Sequence, residues 1–335
     1  MAGYAEIAGH DNLIEHFRRA VCEGKVSHSY IISGEEHAGK MMIAEAFARA
    51  LQCTEAVSRQ TGDGCGRCIS CMQAASHNHP DILYVTHEKS VISVEDVRQQ
   101  IVATAEIFPY AGNYKVYIVD EAERMNEQAQ NALLKTIEEP PAYVVILLLT
   151  SQIGRLLPTI RSRCVEMALR PVSEAKIRAY LERRFQIPEY SARLAASFAQ
   201  GNVGRAVAYA SSPAFGEVWA QCAQIMKRLP RMRMSELMEE VRGLAAAKKE
   251  IDQRLEFMTL WCRDLLMCKA AGDEAKLICL QEEKTIREQA GHISYEGIED
   301  CIRVIRETGA RLRANVNFDV AVEMMLVQMR DRFQE

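Results

Sequence analysis

The first 170 residues alternate short apolar runs with longer segments whose apolar positions recur every three or four residues. An unbroken apolar run suits a strand covered on both faces, and the 3.6-residue period suits an amphipathic helix. Their alternation predicts a parallel sheet with crossover helices. The predicted strands lie at 30–33, 81–85, 115–119, 144–149 and 164–168. The first runs straight into Gly34, and a helix is expected over 39–51. Ser93 is placed to cap a helix, with Asp96 three residues on. Asn126 is placed to cap another, which Pro140-Pro141 stops.

Beyond Pro171 the period becomes helical, with short helices expected over 173–185, 188–200 and 202–211. Ser211-Ser212-Pro213 reads as a boundary, and the remainder is helix-like. The last helix is expected after Asn317, with Val320, Met324 and Val327 on one stripe. The charged stretch 248–254 reads as a solvated face, and most methionines of the last third read as core or helix-interface filling. The expected fold class is α/β plus all-α, divided at 1–170, 171–211 and 212–335.

Composition narrows the function. The 335-residue chain is 48% apolar, enough for sizeable cores, and its net charge of −4 gives no global basic field for nucleic acid. Residues 1–10 carry no apolar signal core, and no run approaches the roughly 20 residues of a membrane span. Eleven cysteines, an odd number scattered without a secretory signal, argue for a reducing cytoplasm rather than a disulfide framework.

Three constellations carry chemistry. Residues 34–41 have the outline G-x-x-x-x-G-K-[ST] of a phosphate-binding loop, through Gly34, Gly39 and Lys40, but Met41 takes the Ser/Thr place. A thioether is a poor ligand for Mg²⁺, and Glu35 and Glu36 add negative charge where a triphosphate would sit. Asp120-Glu121 closes an apolar strand, as suits Mg²⁺ and water positioning; the alternative is a polar strand end entering a loop. Thr150 could sense a phosphate, and Gly204-Arg205 could be a second sensor, though each also reads as ordinary surface or turn. Second, Cys53, Cys65, Cys68 and Cys71 have the spacing C-x11-C-x2-C-x2-C with glycines among them, which fits a closed, structural Zn²⁺ site; His77 and His79 are alternative ligands nearby. Third, Arg163 in Ser162-Arg163-Cys164 could be an arginine finger acting on a neighbour's nucleotide, or a plain surface charge.

These phrases, with V-Y-I-V-D-E-A-E at 116–123, N-A-L-L-K-T-I-E-E-P-P at 131–141 and L-P-T-I-R-S-R-C at 157–164, resemble bacterial clamp-loader subunits of the AAA+ class. The resemblance covers the whole chain and is strongest over 10–210. It implies an AAA+ P-loop domain with an inserted zinc module at about 53–71, a small helical lid, and a helical collar that holds a ring of subunits. The family's motor subunits, gamma/tau, keep Lys-Thr or Lys-Ser in the loop, and this chain departs there at Met41. That implies a stationary partner that presents Arg163 to the ATP of an adjacent motor and has little ATPase of its own. Lys40, Asp120 and Glu121 are retained, so ATP/Mg²⁺ binding stays open, while Met41 and the two loop glutamates argue against efficient hydrolysis. The implied partners are the gamma/tau and delta subunits, and through them the sliding clamp and primed DNA, with no membrane. Two other readings stay open: an ATP-hydrolysing motor of the same fold, and a zinc-stabilised DNA-binding protein that borrows it. The acidic balance speaks against the second.

Overall fold

The computed structural model describes residues 3–87 and 90–334; the outer ends of the first and last expected domains, Met1, Ala2 and Glu335, lie outside them. It divides into two compact units, 1–208 and 209–335. The division falls just before the expected Ser211-Ser212-Pro213 boundary, and the helix Val203–Ser211 runs across it.

The first unit is built on a five-stranded sheet: β1 (Ser29–Ser33), β2 (Ile82–Val85), β3 (Lys115–Val119), β4 (Val144–Thr150) and β5 (Val165–Ala168). The order is β2-β3-β4-β1-β5, with every pair parallel. The pleat sends alternate side chains to opposite faces. Tyr30, Ile32, Val116, Ile118, Val145, Leu147 and Leu149 enter one core, under the helices Asp11–Glu23 and Lys40–Gln52. Ile31, Tyr117, Val119, Val144, Ile146 and Leu148 enter the other, under Glu127–Glu138. Both faces are covered, which is why these strands read as unbroken apolar runs. Burying each such Ile, Leu or Val contributes about 1.5–3 kcal/mol.

The caps are where the sequence placed them. Ser93 Oγ accepts from Asp96 N–H at 3.2 Å while Asp96 accepts from Ser93 N–H at 2.8 Å. Asn126 Oδ1 accepts from Ala129 N–H at 2.8 Å. The helix begun at Ser93 does not stay regular: it widens to a π-helix over Arg98–Val102 before a last α turn, Ala103–Ala105. There the Gln100 side chain pairs with both the N–H and the carbonyl of Thr86, tying the wide turn to the end of β2. The loop ahead of β3 is held by buried Asp81, whose carboxylate takes the N–H groups of Tyr110, Ala111 and Gly112 at 2.6, 2.7 and 2.9 Å.

The second unit is helical, with Phe215–Arg228, Met234–Ala246, Ile251–Ala271, Glu283–His292, Tyr295–Arg313 and Phe318–Gln334 as its main elements. Trp219, Phe257 and Trp261 meet at its centre, and Trp261 Nε1 donates to Gln289 Oε1 at 2.8 Å. Two sequence expectations are corrected here. On the last helix the buried face is Ala321, Val322, Met325, Leu326, Met329 and Phe333, while Val320 and Met324 are 50% and 45% exposed. The expected stripe was read one position off, because apolar residues occupy both sides of this helix. Nor is 248–254 all solvated: Arg254 is buried, its charge met by Glu250 at 2.9 Å and Gln221 at 2.8 Å. Among the described residues no helix is long and apolar enough to cross a membrane.

Candidate functional site

In a parallel sheet the crevice for a ligand lies beyond the carboxyl ends of the strands, where the strand order reverses. Here β1 sits between β4 and β5, so Gly34, Asp120 and Thr150 follow or end neighbouring strands on one side of the sheet. The Gly34 N–H donates to Thr150 O at 3.1 Å. A cavity of about 320 Å³ opens beside them, lined by His10, Gly34, Glu35, Ser151, Leu169 and Asn202 among others.

The loop 34–39 turns into the helix Lys40–Gln52 through Gly39, whose φ of 98° favours glycine. Its carbonyls are met from within the unit. Lys40 Nζ donates to Gly34 O and Glu35 O at 2.8 and 2.7 Å. Asn202 Nδ2 donates to Glu36 O at 2.8 Å and reaches the Glu35 carboxylate at 3.3 Å. Gly204 N–H donates to His37 O at 3.1 Å. The fit at Gly204 is close: a Cβ there would stand 2.3 Å from the His37 oxygen. Arg205 follows, its N–H bonded to Asn202 Oδ1 at 3.1 Å. Burial draws the His10 pKa down, and the nearby Ala38 backbone opposes that shift. Met41 is half-buried and packs into the core beneath helix Asp11–Glu23.

Electrostatically the pocket is acidic. Burial lowers the Lys40 pKa, and Asp120, Glu123, Glu36 and Glu121 oppose that shift. Glu121 lies in the left-handed region, φ 47°, and pairs with Arg124 at 2.7 Å. Glu123, which the sequence reading passed over, is the carboxylate that bridges the strands. It accepts from Ser151 N–H at 3.1 Å and from the Ser151 hydroxyl. Burial pushes its pKa up, but the bonds from Ser151 and Thr150 outweigh it and hold it below the usual carboxylate value. Thr150 is buried and its hydroxyl accepts from Gln152 N–H at 3.0 Å.

The four cysteines come together as a cluster that could hold a metal ion, their sulfurs all within 4.8 Å of one another. Cys53 to Cys68 is 4.0 Å and Cys65 to Cys71 is 3.9 Å. An ion about 2.3 Å from each of four sulfurs in a tetrahedron would set them roughly 3.8 Å apart, so the donor set fits. Backbone N–H groups of Cys65, Cys68 and Cys71 point at the sulfurs of Cys53, Cys65 and Cys68 at 3.4, 3.3 and 3.4 Å, the outer shell that orients thiolates. The two histidines stand apart from it. His79 uses both ring nitrogens, on Ser70 Oγ at 2.9 Å and Asp81 N–H at 3.1 Å; His77 faces Glu45 at 3.5 Å and packs on Tyr84.

Arg163 lies elsewhere. Val165 pairs with Tyr30 near the amino end of β1, whereas Ser33 pairs with Ala168 at the other end. At ~3.3 Å per residue the register puts Val165, two residues after Arg163, about 13 Å from the level of Gly34. Its Nε meets Glu138 Oε1 at 2.7 Å, and its Nη1 donates to Thr159 O at 3.0 Å and Ser162 Oγ at 3.3 Å.

A parallel sheet with a phosphate-loop outline after β1, acidic residues after β3 and helical residues over the loop is the arrangement of a P-loop nucleotide-binding fold. Residues 9–173 match the family described as DNA polymerase III, delta subunit. The chain is similar to DNA polymerase III subunit delta' of Bacillus subtilis, 28% identical over 313 residues that cover 92% of each. It is also similar to subunit tau of the same organism, 24% identical, covering 95% of this chain but spanning only 60% of that relative's length. A DNA polymerase III gamma-subunit-related protein of Thermotoga maritima, 19% identical, aligns over 96% of this chain and 99% of its own with a TM-score of 0.49. Residues 9–173, just under half of the chain, thus carry a domain of the DNA polymerase III delta-subunit family.

The clasp on the loop can be tested by substitution. Gly204→Ala forces a methyl group against the His37 carbonyl and is expected to destabilise the first unit by about 1–3 kcal/mol. The readouts are a lower Tm and faster amide exchange in 34–38. Gly216→Ala, where a Cβ meets nothing within 4 Å, should do neither.

Proposed function

We propose that this chain is the delta-prime-type, non-motor subunit of a bacterial DNA polymerase III clamp loader. It joins gamma/tau motor subunits and a delta subunit in a hetero-oligomeric ring in the cytoplasm, and the ring opens the sliding clamp and places it on primed DNA. The observation that carries this reading is the loop: Lys40 Nζ, the group that would meet a phosphate, is bonded to the carbonyls of Gly34 and Glu35 and surrounded by Asp120, Glu123, Glu36 and Glu121. Met41, half-buried against the core, carries no hydroxyl for a hard cation. These residues do not fit a Mg²⁺–triphosphate, and the subunit itself supplies little or no ATP hydrolysis. Gly34, Gly39, Lys40, Asp120, Glu121, Thr150 and Arg205 are the remains of a nucleotide site, and they serve the fold.

The useful cation is Arg163, an arginine finger given to the neighbouring motor's ATP. Its position supports action in trans, because β1 separates it from its own loop by most of a strand. Such a finger stabilises charge on a transferring phosphoryl group. The division into an AAA+ domain (1–170), a lid (171–211) and a collar (212–335) follows from the same reading. For the collar, Val320 and Met324, 50% and 45% exposed and four residues apart on the last helix, give an outward apolar face suited to a neighbour's helix. The ion held by Cys53, Cys65, Cys68 and Cys71 is Zn²⁺, closed and structural because four thiolates leave no open position.

The isolated protein should turn over ATP at background level even with Mg²⁺. Turnover comparable to a motor subunit's would instead favour a motor of the same fold, for which Lys40 and Asp120 are retained. In the assembled complex, Arg163→Ala should lower ATP turnover at least about twofold, while the Tm of the subunit stays within about 2 °C, since an exposed ion pair holds at most about 1 kcal/mol. Unchanged turnover would remove the finger. Elemental analysis should find about one Zn²⁺ per chain, absent from a Cys65→Ser/Cys71→Ser variant; wild-type protein without zinc would refute the cysteine assignment.

A further inference from the structure

We infer that Glu138 is a positioning residue for Arg163, aiming the guanidinium outward for use by a neighbouring subunit. The inference rests on the finger reading above and adds to it the group that holds the finger.

Glu138 is the last residue of the helix Glu127–Glu138, stopped by Pro140. Thr159 lies in the short helix Pro158–Arg161. Between these two helix ends the Arg163 guanidinium is held by an ion pair, with Glu138 Oε1 2.7 Å from Nε, and by hydrogen bonds from Nη1 to the Thr159 carbonyl at 3.0 Å and Ser162 Oγ at 3.3 Å. Nη2 has no hydrogen bond among the described residues. A guanidinium is planar with its donors in a fixed fork, so fixing Nε and Nη1 also fixes where Nη2 points. Both side chains are about two-fifths exposed, 40% and 44%. An ion pair in that setting is weak and readily exchanged, which suits a group that must meet a phosphoryl oxygen rather than stay buried on a carboxylate.

The other arginine of the phrase sharpens the contrast. Arg161 has its Nε on Glu166 of β5 at 2.9 Å, so its charge is spent on the sheet's own edge strand. Glu138 therefore bears on the orientation of Arg163, while Arg161 is turned onto Glu166.

The test is steady-state ATP hydrolysis by the reconstituted complex, with clamp and primed DNA, carrying this subunit as Glu138→Ala, Glu138→Gln, Arg163→Ala, Arg161→Ala or the Glu138→Ala/Arg163→Ala pair, each checked for assembly by size. Glu138→Ala should lower kcat about threefold with KM for ATP unchanged, the signature of a lost transition-state contact rather than lost binding. Glu138→Gln, which keeps an acceptor for Nε, should recover most of it. Arg161→Ala should match wild type, and the double variant should match Arg163→Ala alone. If Arg163→Ala is slow and Glu138→Ala is not, Glu138 has no part and the finger stands. If Glu138→Ala slows the Arg163→Ala complex further, Glu138 acts on its own and the positioning role falls. If Arg163→Ala itself runs at the wild-type rate, the finger reading fails and this inference goes with it.

Discussion

The hydrogen-bonded register of β1 between β4 and β5 decides where every other feature lies. Pairing Ser33 with Thr150 on one side brings the phosphate loop beside Thr150 and Ser151, and with them Glu123. Pairing Tyr30 with Val165 on the other sends Arg163 to the opposite end of the sheet. A one-residue slip would turn Tyr30 and Ile32 out of one core and Ile31 out of the other, so the register is strongly held by burial. Thus the same packing that stabilises the sheet separates the loop after β1 from Arg163.

At the pocket itself, charge and hydrogen bonding act in the same direction. Lys40 is surrounded by Asp120, Glu123, Glu36 and Glu121, and its ammonium is turned onto the loop's own carbonyls. Asn202 is almost wholly buried, so its side chain must be bonded to avoid a desolvation cost of about 1–3 kcal/mol. It meets that need on Glu36 O, Glu35 and the Arg205 N–H. Polypeptide thus joins the loop to residues 202–204.

The cysteine cluster solves a different problem. The segment between helix Lys40–Gln52 and β2 has only two short helices, Ala56–Thr61 and Ile69–Ala75, too short to be stable alone. It is tied down by the sulfurs and by the buried Arg49, which meets Asp63 at 3.5 Å while Asp63 accepts from Tyr4 N–H at 3.1 Å. A cation among the thiolates would also reverse the upward shift that burial imposes on Cys53 and Cys71.

The amino-acid sequence by itself determined the parallel sheet, its strands, the Ser93 and Asn126 caps and the four clustered cysteines. These depend on local period, local hydrogen bonding or close spacing, all visible over a few residues. It did not reveal the buried side of the last helix, because Val320, Met324 and Met325 look alike until a neighbour chooses a face. Nor did it reveal Glu123 on Ser151, Asn202 and Gly204 on the loop, or Glu138 beside Arg163. Those partners are distant in the chain, and only the tertiary structure decided them, since strand register and helix docking set which distant polar groups come within 3 Å of one another.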